Sequence, residues 1–147
     1  MLPEGSKAPN FTLPSHTDES VSLSDFAGSP VLLYFYPKDD TPGCTREACT
    51  ITELYDEFQK AGIIVLGVSK DNPESHRAFR AKYHLPFTLL SDPDQIVIEQ
   101  YGAKGLLGTK RISYLISQDG TILKTYPNVD PAFHAYEILK DAKIAMK

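Results

Sequence analysis

Apolar and polar residues change rhythm repeatedly along this chain, and each change marks an element. The run VLLYFY, Val31 to Tyr36, is apolar and aromatic without alternation, the pattern of a strand covered on both faces. A helical period follows. Ile51, Leu54, Tyr55 and Phe58 fall at i, i+3, i+4 and i+7, Ala48 and Cys44 carry the same face back toward the N-terminus, and Gly62 ends the helix. Ile63 to Val68 reads as a second buried strand. Asn72-Pro73 then supplies an N-cap and a first-turn proline for a helix to about Tyr83. Phe87 to Leu90 reads as a third strand, with a short helix at Gln95 to Gln100 behind it. RISYLIS and TILKTYP flank Gln118-Asp119-Gly120 as a hairpin, and Asp130-Pro131 opens the last helix. Before Val31, FTL and SVSL form an N-terminal β-hairpin. This order predicts an α/β fold with a central mixed sheet flanked by helices, in a single domain over residues 1–147.

Composition adds constraints. A chain of 147 residues buries roughly 68–70% of its unfolded surface and needs no disulfide or metal staple. MLPEGSKAPN has no basic segment leading into an apolar one, and no stretch approaches the ~18 apolar residues of a membrane span, so the expectation is a cytoplasmic chain. A net charge of −4 without a basic run argues against nucleic acid or an anionic membrane as partner. In a reducing compartment, a close cysteine pair is more often catalytic, redox-active or metal-binding than a permanent bridge.

The only two cysteines, Cys44 and Cys49, lie in TPGCTREAC, directly after a strand and at the start of a helix. If Thr41 is the N-cap, Pro42 stands at N1, Gly43 at N2 and Cys44 at N3. The positive end of a helix and its unpaired N–H groups favour a thiolate at such a position. Gly43 lets a small substrate or another group approach the sulfur, and the Thr41 hydroxyl can donate to or accept from a bound oxygen. On this chemistry alone, a packed and inert thiol remains the competing reading. A zinc site built from the cysteines and two of His16, His76, His84 and His134 lacks a paired-histidine spacing. A thiol–disulfide exchanger would normally carry C-x2-C or C-x3-C in place of the C-x4-C present.

Pro37, Thr41 and Cys44 match the P-x-x-x-T-x-x-C motif of peroxiredoxins, and TPGCTREAC resembles the version in the peroxiredoxin Q or bacterioferritin comigratory protein group. The resemblance continues through GSKAPNFTLPS, VLLYFYPKDDTPGCT, GVSKDNPESHRAF and FTLLSD. It implies a thioredoxin-like fold and thiol-dependent reduction of hydrogen peroxide and organic hydroperoxides without a cofactor or metal. By resemblance, Cys44 is the peroxidatic cysteine and Cys49 the resolving one, with thioredoxin or a similar dithiol protein as reductant. Arg111 matches the family's active-site arginine and Glu47 an acidic residue that supports it. Pro37, Gly43 and Glu47 are assigned to substrate binding. The expected state is a monomer, with a weak dimer as the alternative. The family usually carries a tryptophan near Tyr101 and a threonine near Ser113, and the stretch from Tyr101 to Arg111 is short. If both cysteines share one helix, their Cα atoms stand about 8.6 Å apart, and a disulfide needs less than roughly 7 Å. Pairing therefore requires the helix to open.

Overall fold

The computed structural model describes residues 1–145. In chain order the elements are β1 (Thr12–Pro14), β2 (Ser20–Ser22), β3 (Val31–Phe35), α1 (Pro42–Glu53), α2 (Tyr55–Lys60), β4 (Ile64–Ser69) and α3 (Pro73–Tyr83), followed by β5 (Thr88–Ser91), α4 (Ile96–Gln100), β6 (Lys104–Gly105), β7 (Gly108–Thr109), β8 (Ile112–Ile116), β9 (Ile122–Tyr126) and α5 (His134–Ala145). The central sheet runs β5-β4-β3-β8-β9, with β3, β4 and β5 parallel and β8 and β9 antiparallel. The mixed sheet and the antiparallel N-terminal hairpin of β1 and β2 bear out the fold expected from the residue pattern.

All five residues of β3 are buried, and the two-residue period of a strand divides them. Val31, Leu33 and Phe35 join one core with Phe11, Leu13, Ile98 and Tyr101. Leu32, Tyr34 and Tyr36 join the other with Cys44, Ala48, Ile51, Phe58 and Ile138. Each such large apolar side chain contributes about 1.5–3 kcal/mol by burial. β3 therefore anchors both layers, and the loop leaving its end is fixed in position.

Two helix boundaries differ from the expectations. The helix expected to run to Gly62 breaks at Leu54, where φ is −102° and ψ is 10°. Thr50 Oγ1 donates to Arg46 O and Thr52 Oγ1 to Ala48 O, both at 2.8 Å. Such back-bonding bends helices. The Leu54 N–H is then shared between Thr50 O and Ile51 O, at 3.3 and 3.2 Å. The apolar face still continues across the break, so Phe58 stays fully buried. The last helix begins at His134, four residues after Asp130, because the Asp130 carbonyl accepts from Phe133 and His134 and closes a separate turn first. The short β6–β7 ribbon fills the stretch between Tyr101 and Arg111. Tyr101 itself packs against Phe11 and Phe35 on the face of the sheet away from Cys44.

Candidate active site

The site grows from the end of β3. Phe35 pairs with Ile112 across the β3–β8 ladder, so the segment leaving β3 and the residue entering β8, Arg111, emerge at the same end of the sheet. The intervening loop is held by carboxylates. Asp39, which is buried, accepts from Tyr36 Oη at 2.6 Å and from Ser75 Oγ at 2.8 Å, and lies 2.7 Å from His76 Nδ1. His76 Nε2 donates to Leu90 O at 3.0 Å, while the Asp39 N–H donates to Asp71 at 2.8 Å. Asp40 adopts a positive φ of 56° and receives Lys82 Nζ at 2.7 Å and Tyr83 Oη at 2.6 Å. These contacts tie the loop to α3, β5 and the end of β4.

Thr41 is the N-cap of α1 with extended backbone, and Pro42, Gly43 and Cys44 occupy N1, N2 and N3 as the motif requires. Its hydroxyl does not cap the helix. It donates to Lys38 O at 2.8 Å, which leaves its lone pairs free to accept. Cys44 is 2% exposed. Arg111 Nη2 donates to Cys44 Sγ at 3.3 Å, and Nη1 donates to Glu47 Oε1 at 2.9 Å. Glu47 lies one turn beyond Cys44 on α1 and is 1% exposed, behind the guanidinium. Burial pushes its carboxyl up to about 7 against the lowering pull of Arg111. A Cβ at Gly43 would come within 2.8 Å of Arg111 Nη2, so the missing side chain is what lets the guanidinium lie over the first turn. The structure thus brings Thr41, Gly43, Cys44, Glu47 and Arg111 into one cluster.

Pro37 stands slightly apart, lining a cleft of about 750 Å³ with the β6–β7 ribbon, Lys104 to Lys110. The ribbon's tip, Leu106 and Leu107, is fully exposed. Cys49 is partly exposed on the same unbroken α1, and both cysteines are free thiols. Burial, with the Glu53 charge as a second cause, raises the Cys49 thiol above its ordinary range. Beneath the cluster Tyr34 lies over Gly67, where a Cβ would meet Tyr34 Cζ at 2.8 Å. The histidines do not assemble with the thiols: His76 serves the loop and His134 lies 3.1 Å from Glu137. Among the described residues, no group of three His, Cys, Asp or Glu side chains could hold a metal ion, and no helix is long and apolar enough to cross a membrane. The loop anchors Asp39, Asp71 and His76 escape a reading of the sequence. Their one signal there is a pair of acidic residues set directly before a reactive-cysteine motif.

A mixed sheet with a buried thiol at the N-terminus of the helix after its central strand defines a thioredoxin-like thiol enzyme. The chain belongs to the AhpC/TSA family, whose model matches residues 5–125, and its relatives are peroxiredoxins. It is 48% identical over 143 residues to peroxiredoxin bcp of Coxiella burnetii, covering 92% of this chain and 95% of that protein. It is 45% identical over 141 residues to the chloroplastic peroxiredoxin Q of Gentiana triflora, covering 93% of this chain and 65% of that longer protein. A crystal structure of a cysteine mutant of PrxQ from Xylella fastidiosa superposes with a TM-score of 0.95 at 30% identity, over 100% of this chain and 99% of that one.

Proposed function

We propose that this thiol peroxidase reduces hydrogen peroxide and organic hydroperoxides through Cys44, and that Cys49 resolves the product within the same chain. The observation that carries the assignment is the 3.3 Å contact from Arg111 Nη2 to the buried Cys44 Sγ at the third position of α1. The Cys44 thiolate attacks one peroxide oxygen. An S–O bond forms, the O–O bond breaks, and its electron pair leaves on the second oxygen, which is protonated to water or an alcohol. Arg111 stabilises charge spreading over both oxygens, and Thr41, its hydroxyl turned to Lys38 O, accepts the peroxide O–H. The cleft beside Pro37 and the apolar ribbon tip give an organic substituent somewhere to lie.

Cys49 then attacks the Cys44 sulfenic acid, releasing water and forming a disulfide, and an external dithiol, thioredoxin or a similar protein, returns the two electrons by exchange. Cys49→Ser protein should therefore react once and stop. After one equivalent of peroxide, intact-mass analysis should find an added oxygen on Cys44, and further peroxide should carry that sulfur to sulfinic acid. A wild-type disulfide that links two chains would overturn intramolecular resolution.

Resolution also demands movement. On intact α1 the two Cα atoms are held about 8.6 Å apart, beyond disulfide reach, so the turns from Pro42 to about Thr50 unwind while Ile51 and Phe58, both fully buried, stay docked. Hydrogen exchange on reduced and oxidised protein should show amides 44–50 losing protection on oxidation. Equal protection in the two states would contradict the unwinding.

A further inference from the structure

Two acidic side chains share one cation inside this site. Arg111 sends one nitrogen to Cys44 Sγ and the other to Glu47 Oε1, and these acceptors are 2% and 1% exposed. Among the described residues, Glu47 pairs with no other cation. Its second oxygen, Oε2, is buried without a hydrogen-bond partner. A thiolate and a carboxylate together would leave one buried negative charge uncompensated, an arrangement that coupled acidic groups avoid by holding a proton between them. Building on the assignment of Cys44 as the attacking thiolate, we propose that Glu47 is a redox-linked proton carrier: it is neutral while Cys44 is a thiolate, and it ionises when Cys44 becomes a sulfenic acid.

The charge balance closes. Before reaction the site holds a thiolate, a guanidinium and a neutral carboxyl. After it, the site holds a neutral sulfenic acid, the same guanidinium and a carboxylate paired to it. The proton that Glu47 gives up offsets the one taken by the departing hydroxide or alkoxide, so peroxide reduction leaves the net charge of the buried site unchanged. Glu47 does not touch the reacting atoms. It acts through Arg111, releasing the guanidinium to the thiolate first and reclaiming it afterwards. Among the described residues, the Tyr34 phenol on β3 also faces the cluster; its ionisation is pushed well up by burial and by the Glu47 and Cys44 charges, so it stays neutral. Burial, opposed by Arg111 and with no part played by Cys44, sets the Glu47 carboxyl at about 7; a thiolate alongside holds its proton to higher pH, so the linkage operates above that value and vanishes below it.

The test counts protons in a single turnover, using Cys49→Ser protein so that the reaction stops at the sulfenic acid. Stopped-flow mixing with hydrogen peroxide and a pH indicator, in weak buffer, gives protons taken up per sulfenic acid formed. Ultraviolet thiolate absorbance confirms the starting state of Cys44. A thiolate reacting without linkage takes up one proton. About one pH unit above the Glu47 value, uptake should fall to near zero with Glu47 present and stay near one in Glu47→Gln. About one unit below that value, both should take up one. An infrared difference spectrum of the Glu47-containing protein gives a reading that needs no second variant: oxidation should remove a protonated-carboxyl band that shifts on glutamate isotope labelling. Equal uptake in the two proteins above the Glu47 value, or absorbance showing Cys44 as a thiol there, would overturn the proposal. Absence of any added oxygen on Cys44 would instead overturn the peroxidatic assignment beneath it.

Discussion

Cys44→Ser protein is expected to consume no peroxide above the protein-free rate in an assay coupled through thioredoxin, thioredoxin reductase and NADPH. The whole arrangement converges on one sulfur. The β3–α1 turn places it at a helix start, and Arg111 meets it at 3.3 Å. A serine hydroxyl fits the same space but stays protonated at neutral pH, and neither a helix N-terminus nor a guanidinium brings an alcohol to the reactivity of a thiolate. Cys49 cannot take over, because burial and Glu53 hold its thiol protonated and, among the described residues, no guanidinium bonds to it. Comparison with Cys49→Ser isolates the effect, since that variant should still yield one sulfenic acid per chain. Turnover by Cys44→Ser would remove the peroxidatic assignment.

The second large effect belongs to Arg111. Arg111→Met should slow sulfenic acid formation by about 10²–10³-fold, the cost of losing one oriented donor at a developing negative charge. Methionine keeps much of the stem, so the loss falls on the charge and its two hydrogen bonds. The same change strands Glu47 without a cation. Its carboxyl then keeps its proton or ionises unpaired in the interior, so the variant's melting temperature should fall more steeply than that of wild type as pH rises. A stopped-flow rate within twofold of wild type would take Arg111 out of the reaction.

What the residue order revealed follows from how local each signal was. β3 was legible because Val31 to Tyr36 is apolar throughout, and only a strand covered on both faces combines that pattern with that length. The proline, glycine and cysteine of the first turn were legible because helix capping is decided within four residues, and all three stand at N1 to N3. The break at Leu54 was hidden for the opposite reason. The apolar face of α1 runs on into α2, and the threonine back-bonds that bend it count only once the helix exists. The Asp39 anchor was hidden by distance, since its partners Ser75 and His76 lie 36 and 37 residues away. β6 and β7 have two residues each, too few for any alternation to show. Glu47 was placed beside Arg111 by resemblance, but its burial, from which the proton linkage follows, depends on the packing of α1 against the sheet.

In the proposed cycle, the clamped loop before α1 also sets the timing. Asp39 and Asp40 hold the chain just ahead of the segment proposed to unwind, and Ile51 and Phe58 hold it just behind. Once the disulfide is reduced, the freed stretch is a short tether with both ends already in place, so little loop-closure entropy opposes its return. Helix formation over such a length takes about a microsecond or less. The peroxide-binding shape is thus restored far faster than a reductase molecule can arrive and depart, and recovery of the thiol pair should follow reductant concentration with no lag from refolding.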